Sequence, residues 1–414
     1  MLDITAKEQI AFIYLKNRSV ATPVADLEFF DRDEIACTYS NEYRSNADAV
    51  SIDPINIPIN INTHLLKNGH FGVLRDSAPD LWGQILLAKF LDKSIRDLTI
   101  YDLLSSENSC RIGNLDFRNS EDMEGREAQL PYFAELEQLL ALAEHIEREQ
   151  EPPKDLDALL PLLVQGSSIG GARPKSTILY KDRLWIAKFP SIDDEFSNAR
   201  VEFATMRLAS LCGIRIPDME IIDINGKEVF FIERFDRNPL PDGTFGRTGY
   251  ISGLSLLKLS DETQHYGSYV AMAEVLRHYP YPDDVNELFK RMIFNILCRN
   301  TDDHMRNFGY LIQEDETLRL SPAFDIVPSP YYAGMERVSK QAIGVGKKGK
   351  EGSLNNALSV AATFTYSREE ALDVIHKMIE TFSQWKEVFS SADVTEEDMD
   401  KLDFDIERRW GDKV

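Results

Sequence analysis

The chain lacks any long hydrophobic run. No stretch of its 414 residues approaches the roughly eighteen consecutive apolar residues that a membrane-spanning helix needs. The opening residues, MLDITAKEQ, carry neither a basic leader nor an apolar signal core. We therefore expect a cytoplasmic protein that has no membrane partner.

Cysteine is scarce, and the pattern of the cysteines excludes a zinc motif. Cys37, Cys110, Cys212 and Cys298 are scattered along the chain without pair spacing. This pattern is typical of reduced thiols in a cytosolic protein, and we expect the four side chains to fill the core.

Basic residues are outnumbered, with 46 Lys and Arg against 69 Asp and Glu and a net charge of −23. Such a surface is repelled by phosphate backbones and anionic lipid, which argues against autonomous nucleic-acid or membrane binding. One local exception is the basic segment GVGKKGKEG, residues 344–352. This segment is either a phosphate contact or a flexible, solvated loop.

The length exceeds one ordinary hydrophobic core, and we predict three regions, residues 1–150, 151–238 and 239–414. The first region ends in an amphipathic helix, YFAELEQLLALAEHIE, and in a charged, double-proline linker, EREQEPPKD. Within it, LRDSAPDLWGQILLAKFL predicts a turn and then a helix that begins near Ser77 or Asp80.

The second and third regions differ in their secondary structure. The second contains short strands around one helix, and Asn225-Gly226 between two alternating runs predicts a hairpin. After Pro239 the pattern is mainly helical, apart from strands that follow residue 307. The last long helix, EEALDVIHKMIETFSQWKEVF, places an apolar stripe on one face. The fold prediction is α+β, with the two lobes of a protein kinase: a small sheet-rich N-lobe and a larger helical C-lobe.

Charged residues concentrate in RNTDDHMRNFGYL, residues 299–311, between an apolar helix and an apolar strand. The three-and-four spacing of apolar residues in that helix predicts one core-facing side, formed by Phe289, Met292, Ile293, Ile296 and Leu297. Asp302 and Asn307 have the Asp-x-x-x-x-Asn interval of a kinase catalytic loop, and Asp325 follows a predicted strand pair. Asp302 is the candidate that accepts the proton of the nucleophile. Asn307 and Asp325 offer the hard oxygen ligands that suit Mg²⁺.

The same loop contains three further polar side chains, His304, Asp303 and Arg306. His304 is able to donate a hydrogen bond to the transferring phosphoryl group, or to stabilise the loop. We expect Asp303 and Arg306 to form exposed salt bridges outside the mechanism.

The glycine-rich segment GSSIGGARPK, residues 166–175, precedes a predicted strand. Its flexible backbone could turn N–H groups toward phosphate oxygens, and Lys175 adds a positive charge. It lacks the order of a Walker motif, and a plain glycine-serine loop is the alternative. The nucleotide-binding candidates in this segment are Gly166, Ser167, Ser168, Ile169, Gly170, Gly171 and Lys175.

Two other segments complete the predicted nucleotide site. Lys188 lies late in a strand of buried character, where nucleotide phosphates would supply the anion that it needs. Glu202 could pair with Lys188, although a solvent-facing strand-edge lysine is the alternative. The backbone of Glu233, Arg234 and Phe235 could bind an adenine edge, or could only join the two lobes.

Taken in order, several segments resemble the HipA family of bacterial toxin-antitoxin serine/threonine kinases. The likeness extends from about residue 55 to the end of the chain, and the first 50 or so residues carry no match. The segments are LRDSAPDLWGQ, GSSIGGARPK, LWIAKFP, IERFDR, NTDDHMRNF, AFDIV and AIGVGKKGKEGSLN.

This resemblance implies an ATP- and Mg²⁺-dependent protein kinase with Asp302 as catalytic aspartate, Asn307 and Asp325 as metal ligands, and a family-specific N-terminal subdomain. It also implies autophosphorylation of Ser168, with Ser167 as a substitute, which would eject the glycine-rich segment and silence the enzyme. The implied partner is a helix-turn-helix antitoxin like HipB, which binds operator DNA. The implied substrate is a translation component such as an aminoacyl-tRNA synthetase.

Two rival functions remain open at this point. The Asp-x-His-x-x-Asn pattern of Asp302, His304 and Asn307 also resembles the catalytic loop of phosphoinositide kinases, although the composition offers little surface for a membrane. The second rival is a kinase-shaped scaffold or co-repressor that binds a DNA-binding partner and transfers nothing.

Overall fold

The computed structural model describes residues 7–30, 34–105, 110–120, 130–167, 171–331, 338–402 and 404. They form a mixed α+β protein, as predicted. The strands are β1 (Lys7–Ile13), β2 (Thr22–Phe30), β3 (Glu34–Tyr39), β4 (His64–Leu66), β5 (Leu115–Arg118), β6 (Lys175–Tyr180), β7 (Arg183–Lys188), β8 (Met219–Ile224), β9 (Lys227–Glu233), β10 (Arg237–Pro239), β11 (Phe245–Arg247), β12 (Gly249–Ser252), β13 (Gly309–Ile312), β14 (Leu318–Leu320), β15 (Ser339–Lys340) and β16 (Glu351–Gly352).

The helices range from single turns to sixteen residues. They are α1 (Asn41–Arg44), α2 (Val73–Asp76), α3 (Leu81–Phe90), α4 (Ile100–Ser105), α5 (Leu136–Glu147), α6 (Lys154–Asp157), α7 (Leu160–Gly166), α8 (Asn198–Leu211), α9 (Gly253–Leu256), α10 (Tyr269–Leu276), α11 (Pro282–Leu297), α12 (Leu354–Leu358), α13 (Arg368–Phe382), α14 (Trp385–Ser390) and α15 (Glu396–Asp400). Among the described residues, none of them is both long and apolar enough to cross a membrane.

The chain divides into two compact units. The first contains Met1–Asp193, Asp223–Ile251 and Leu311–Thr317, and the second contains Asp194–Ile222, Ser252–Tyr310 and Leu318–Val414. An antiparallel sheet in the first unit has the strand order β4-β3-β2-β1-β5. Its alternating apolar residues, such as Leu27 and Cys37, are fully buried, which makes one face of this sheet part of the core.

A second antiparallel sheet in the first unit carries β6, β7 and β9, with Lys175 opposite Lys188 on the first pair of strands. The predicted turn at Asn225-Gly226 is confirmed, because both residues have the positive φ angles, 53° and 81°, that a tight hairpin turn requires.

A buried cluster of charges fixes the segment that follows β9. The carboxylate of Asp236 accepts hydrogen bonds from Arg234 at 2.8 Å, Arg237 at 2.7 Å and the Gly113 N–H at 2.8 Å. Burial alone would raise the pKa of Asp236, but the two guanidinium groups bring it down to about 2. The cluster therefore remains ionised and ties this segment to the N-terminal region of the same unit.

The core of the second unit is built around α11. The apolar face predicted from its sequence is confirmed, because Phe289, Met292, Ile293, Ile296 and Leu297 are all fully buried. Helices α10 and α13 pack against it. Helix α11 begins with Pro282 in its first turn, where the missing N–H has no helical acceptor to lose.

Two predictions about the last region are wrong. The single long helix is broken into α13 and α14, because the Ser383 hydroxyl bonds back to the Glu380 carbonyl at 2.6 Å and competes with helical hydrogen bonding. The predicted apolar face nevertheless stays buried across the break, at Phe382, Trp385 and Phe389. The short strands β11 and β12, just after Pro239, were not predicted.

The prediction of reduced cysteines is confirmed in the described chain, and three of the four lie in the core as expected. Cys37, Cys110 and Cys298 are buried, Cys212 is partly exposed, and all four are free thiols. Burial raises the pKa of the Cys37 and Cys212 thiols to about 12, which disfavours the reactive thiolate at both positions.

Candidate active site

The charged loop starts where α11 ends. The Asn300 N–H donates to the Asn295 carbonyl at 2.9 Å, and Arg299 between them has a φ angle of 59°. This is the pattern of a Schellman motif, with arginine at the position that glycine usually occupies. It terminates the helix abruptly and turns the chain into the loop that carries Asp302.

Asp303 anchors this loop from inside the second unit. Its carboxylate accepts hydrogen bonds from the Tyr269 hydroxyl at 2.6 Å, Gln341 Nε2 at 3.1 Å and the Ala342 N–H at 2.8 Å. The prediction of an exposed salt bridge is therefore wrong for Asp303, which is 1% exposed. Burial raises its pKa to about 6, against the lowering effect of the three donors.

Met305 and Arg306 hold the middle of the loop. Met305 is fully buried, and a side chain at Gly253 or Gly267 would overlap it, so both glycines permit this close packing. Arg306 Nε donates to Asp261 at 3.1 Å, which confirms the predicted salt bridge.

Asn307 is oriented by the backbone next to the candidate base. Its Nδ2 donates to the Asp302 carbonyl oxygen at 2.9 Å, and its own N–H donates to the His304 carbonyl at 2.9 Å. Because the nitrogen of the amide is engaged, its Oδ1 is the atom that remains to bind a cation. Asp302 itself is accessible over 80% of its side chain, so a substrate hydroxyl can reach it.

The segment that carries Asp325 is fixed on both sides. Before it, the Leu320 N–H donates to Asp284 at 2.9 Å and the Ala323 N–H donates to the Arg215 carbonyl at 2.7 Å. After it, the Ser329 N–H donates to the Arg299 carbonyl at 3.0 Å. The last bond joins this segment directly to the start of the Asp302 loop.

Asp325 combines an unusual backbone with an electrostatic effect on Asp302. Its φ angle is 57°, a left-handed conformation that is uncommon for residues other than glycine and is often found at functional sites. Partial desolvation raises the pKa of Asp302, the imidazole of His304 opposes this, and the carboxylate of Asp325 raises it further.

His304 lies beside the candidate base. Its Nε2 is 3.9 Å from Asp302 Oδ1, and its buried Nδ1 has no hydrogen-bond partner among the described residues. The imidazole therefore contributes little visible hydrogen bonding to the loop. This favours the interpretation in which it acts on a bound group rather than on the loop itself.

These residues fit Mg²⁺ bound together with a nucleotide. The described residues contain no group of three or more His, Cys, Asp or Glu able to hold a metal ion, so they offer no all-protein cage for it. Mg²⁺ typically takes one or two protein oxygens and completes its shell with water and phosphate. Asn307 and Asp325 have side-chain oxygens of this kind, and both segments lie near the carboxylate of Asp302.

The glycine-rich segment belongs to the first unit, and its described residues are held by their neighbours. Gly166 is the last residue of α7, and a side chain there would overlap Ser176. The Ser167 hydroxyl is buried within 2.7 Å of the Leu163 carbonyl and 2.8 Å of the Lys175 carbonyl. The Gly171 N–H donates to Asp80 at 3.0 Å.

The remaining predictions for this segment have different outcomes. Ser168, Ile169 and Gly170 lie outside the described residues. Lys175 is 3% exposed, and its Nζ sits beside Gly171, since a side chain on that glycine would overlap it. The strand predicted to follow the segment is confirmed as β6.

The other nucleotide-binding candidates are ordered residues of strands and helices. Lys188 ends β7, with its Nζ 5.8 Å from the centre of the Phe230 ring, and Glu202 is buried on α8 in the second unit. Arg234 uses its N–H for the Leu184 carbonyl at 2.9 Å and its side chain for the buried cluster. In this conformation the Arg234 N–H is therefore engaged within the protein.

The basic segment at residues 344–352 forms a compact turn. Asn356 Nδ2 donates to the Gly349 and Glu351 carbonyls at 3.1 and 2.9 Å, and its Oδ1 accepts the Lys348 N–H at 2.8 Å. Lys347 and Lys348 are exposed. The two lysines are solvated, as the loop alternative expected, and the buried side chain of Asn356 holds the backbone of the turn.

Comparison with known proteins gives a family match. A family model described as the HipA-like C-terminal domain matches residues 167–386, more than half of the chain. Two curated relatives are both named "Putative kinase". Y4dM of Sinorhizobium fredii is 25% identical over 211 residues, which are 48% of this chain and 50% of that protein. A Haemophilus influenzae protein is 28% identical over 246 residues, 54% of this chain and 69% of the relative.

A solved structure has a similar fold over most of its length. It is a chain of the Shewanella oneidensis MR-1 toxin-antitoxin complex of HipA, HipB and operator DNA. The TM-score is 0.70 at 16% identity, and the match covers 96% of this chain and 93% of that one. The chain spans only half the length of the first curated relative, whereas the structural match is nearly complete.

Proposed function

Because the chain belongs to the HipA-like C-terminal domain family, we propose that it is an ATP-dependent serine/threonine protein kinase. The observation that carries this proposal is the hydrogen-bonded link between two segments of the second unit, the loop that carries Asp302 and Asn307 and the segment that carries Asp325. The Ser329 N–H makes this link to the Arg299 carbonyl at 3.0 Å, and Asn307 Nδ2 is bonded to the Asp302 carbonyl. We propose the two-lobed fold of protein kinases for residues 151–238 and 239–414, preceded by an N-terminal subdomain.

Asp302 is the proposed base of the reaction. Its accessible carboxylate accepts a hydrogen bond from a serine or threonine hydroxyl and orients the oxygen toward the γ-phosphorus of ATP. The new oxygen–phosphorus bond forms as the bond from the γ-phosphorus to the bridging oxygen breaks, and ADP leaves. The hydroxyl proton passes to Asp302 late in the transfer.

Asn307 and Asp325 are the proposed metal ligands. These two side chains would hold Mg²⁺, which would supply positive charge to neutralise the nucleotide phosphates. The carbonyl of Asp302 holds the Asn307 amide, so the ligand oxygen is positioned before a cation arrives. The left-handed backbone at Asp325 gives its carboxylate a direction set by the anchored segment.

The remaining candidates would act on the phosphates. We propose that the positive charges of Lys188 and Lys175 attract the phosphate groups of ATP. The backbone N–H groups of the glycine-rich segment would bind the same phosphates. His304 donates a hydrogen bond to the transferring phosphoryl group from a position beside Asp302.

The biological setting that we propose is a toxin-antitoxin pair. The fold matched here comes from a complex of HipA, HipB and operator DNA. By analogy, this cytoplasmic chain would bind a basic helix-turn-helix antitoxin, which compensates its charge of −23 and contacts DNA. Its substrate would be a translation component such as an aminoacyl-tRNA synthetase. Autophosphorylation of Ser168 would silence the kinase.

Incubation with Mg²⁺, ATP and bacterial lysate, followed by phosphosite mapping, tests this function. We expect new phosphoserine or phosphothreonine on protein with the wild-type chain and none with Asp302→Ala. Labelled lipid without labelled protein would instead support a lipid kinase. No transfer to any acceptor would contradict the kinase and favour a scaffold.

A further inference from the structure

Asp80 is a helix-capping residue whose side chain is used elsewhere. It occupies the N-cap of α3, where an aspartate usually accepts a hydrogen bond from its own helix. Within the described chain it accepts no such bond. Its Oδ2 instead accepts the Gly171 N–H at 3.0 Å, and its Oδ1 lies 3.4 Å from Arg75.

Trp82 holds the same segment at two further points. Its N–H donates to the Gly171 carbonyl at 3.3 Å, and its indole Nε1 donates to the Lys175 carbonyl at 3.1 Å. The next residue, Gly83, approaches Ser167 so closely that a side chain there would strike the Ser167 carbonyl. The start of α3 therefore contacts residues 167, 171 and 175 of the glycine-rich segment.

We propose that Asp80 and Trp82 are positioning residues of the nucleotide site, a role that rests on the kinase function proposed above. Glycine loses more conformational entropy than other residues when it is ordered, so an unsupported glycine-rich segment would weaken nucleotide binding. Contacts that order Gly171 in advance reduce this cost. The same contacts fix the position of Gly171, and the Lys175 ammonium group lies beside this glycine.

The proposed positioning role of Asp80 depends on its hydrogen bond with the Gly171 N–H rather than on its negative charge. Asp80→Ala removes the acceptor, whereas Asp80→Asn keeps an oxygen able to accept the Gly171 N–H. We expect Asp80→Ala to weaken the binding of a non-hydrolysable ATP analogue with Mg²⁺ about three- to tenfold. We expect Asp80→Asn to recover most of this loss, and kcat at saturating ATP to stay close to wild type in both variants.

Trp82→Phe gives a second test that keeps an aromatic ring in the buried position. The ring cannot donate to the Lys175 carbonyl, so we expect a loss in analogue affinity of about two- to fivefold. Asp97→Ala is the matched control, because Asp97 is an exposed aspartate of the same region. It should leave the affinity unchanged.

Amide exchange of Gly171, followed by NMR after ¹⁵N-glycine labelling, measures the contact without any enzymatic activity. We expect exchange to be about tenfold faster in Asp80→Ala than in wild type and to return close to the wild-type rate in Asp80→Asn. If Asp80→Ala fails to fold, Asp80→Asn and Trp82→Phe carry the test.

These experiments distinguish the positioning role of Asp80 and Trp82 from the kinase function. Unchanged Gly171 exchange and unchanged analogue affinity in Asp80→Ala would overturn the positioning role while leaving the kinase intact. An equal loss in Asp80→Asn and Asp80→Ala would overturn the hydrogen-bond argument. A wild-type chain that binds no nucleotide would contradict the kinase itself, whatever the exchange rate of Gly171.

Discussion

The Nδ2 atom of Asn307 donates a 2.9 Å hydrogen bond to the backbone carbonyl of Asp302. Because the amide nitrogen of Asn307 is bonded to the loop backbone, its amide oxygen is the atom that can act as a hard metal ligand. One side chain therefore has two duties: it shapes the backbone of the proposed base, and it offers an oxygen to the metal.

Substitution of Asn307 can separate these two duties. Asn307→Asp keeps a ligand oxygen but loses the donor, and it places a carboxylate against the Asp302 carbonyl. We expect kcat for phosphoryl transfer to fall about 10- to 100-fold, because the base is displaced, with little change in the Mg²⁺ concentration for half-maximal rate. Asn307→Ala should lower kcat and also raise that Mg²⁺ concentration. A Mg²⁺ titration of the initial rate measures both effects.

Asn355→Ala, at an exposed position of α12, is the control for these titrations. It should match wild type in kcat and in Mg²⁺ dependence. A wild-type kcat for Asn307→Asp would show that the hydrogen bond to Asp302 has no role in transfer.

The left-handed backbone of Asp325 predicts a difference in stability between two inactive variants. Asp325→Ala and Asp325→Gly both remove the carboxylate, and both should weaken Mg²⁺-dependent nucleotide binding by at least about tenfold in calorimetry. Only glycine adopts a φ of 57° without steric cost, so Asp325→Gly should be about 1 kcal/mol more stable than Asp325→Ala in urea unfolding. Greater stability of Asp325→Ala would argue against this conformation.

Asp303 predicts a pH dependence of stability. Its pKa is about 6 in the folded chain, against roughly 4 when unfolded, so the folded state holds the proton more tightly. Its contribution to the free energy of unfolding is therefore fully present below about pH 4 and is lost as the pH rises through 6. The total change is about 2–3 kcal/mol. Urea unfolding from pH 4 to 7.5 measures it.

The comparison for this experiment is Asp303→Asn, which cannot titrate. Wild type should lose stability relative to this variant between pH 4 and 6, and the difference should then stay constant. Asp373→Asn, at an exposed position of α13, should follow the wild-type curve. A wild-type gain in relative stability over this pH range would contradict the raised pKa.

The burial of Ser167 predicts which serine is modified. The Ser167 hydroxyl points into the protein toward two backbone carbonyls, so it cannot accept a phosphoryl group in this conformation. After incubation with ATP and Mg²⁺, mass spectrometry should find phosphate on Ser168, and Ser168→Ala should remove it. Phosphate on Ser167 in wild type would mean that α7 and β6 separate during the reaction.

Short-range patterns in the sequence predicted much of the fold. The apolar spacing of α11, the Asn225-Gly226 turn and the order of the strands around α8 each depend on residues near one another in the chain. The Asp302 and Asn307 interval is also local. These features could therefore be predicted without knowledge of the tertiary structure.

Features that depend on distant partners were not predicted. Asp303 is buried because Tyr269 and Gln341, 34 and 38 residues away, supply donors for it. Asp80 was placed correctly near a helix start, but its side chain bonds to Gly171, 91 residues away. In each case the residue type allowed both an exposed and a buried role, and only the fold decides between them.

The decisive measurement is the rate of phosphoryl transfer by Asp302→Asn, taken together with the affinity for an ATP analogue in the same preparation. We expect kcat to fall about 10²- to 10⁴-fold, because the hydroxyl loses its proton acceptor, with analogue affinity within about threefold of wild type. A kcat equal to that of wild type would contradict the assignment of Asp302 and, with it, the proposed active site.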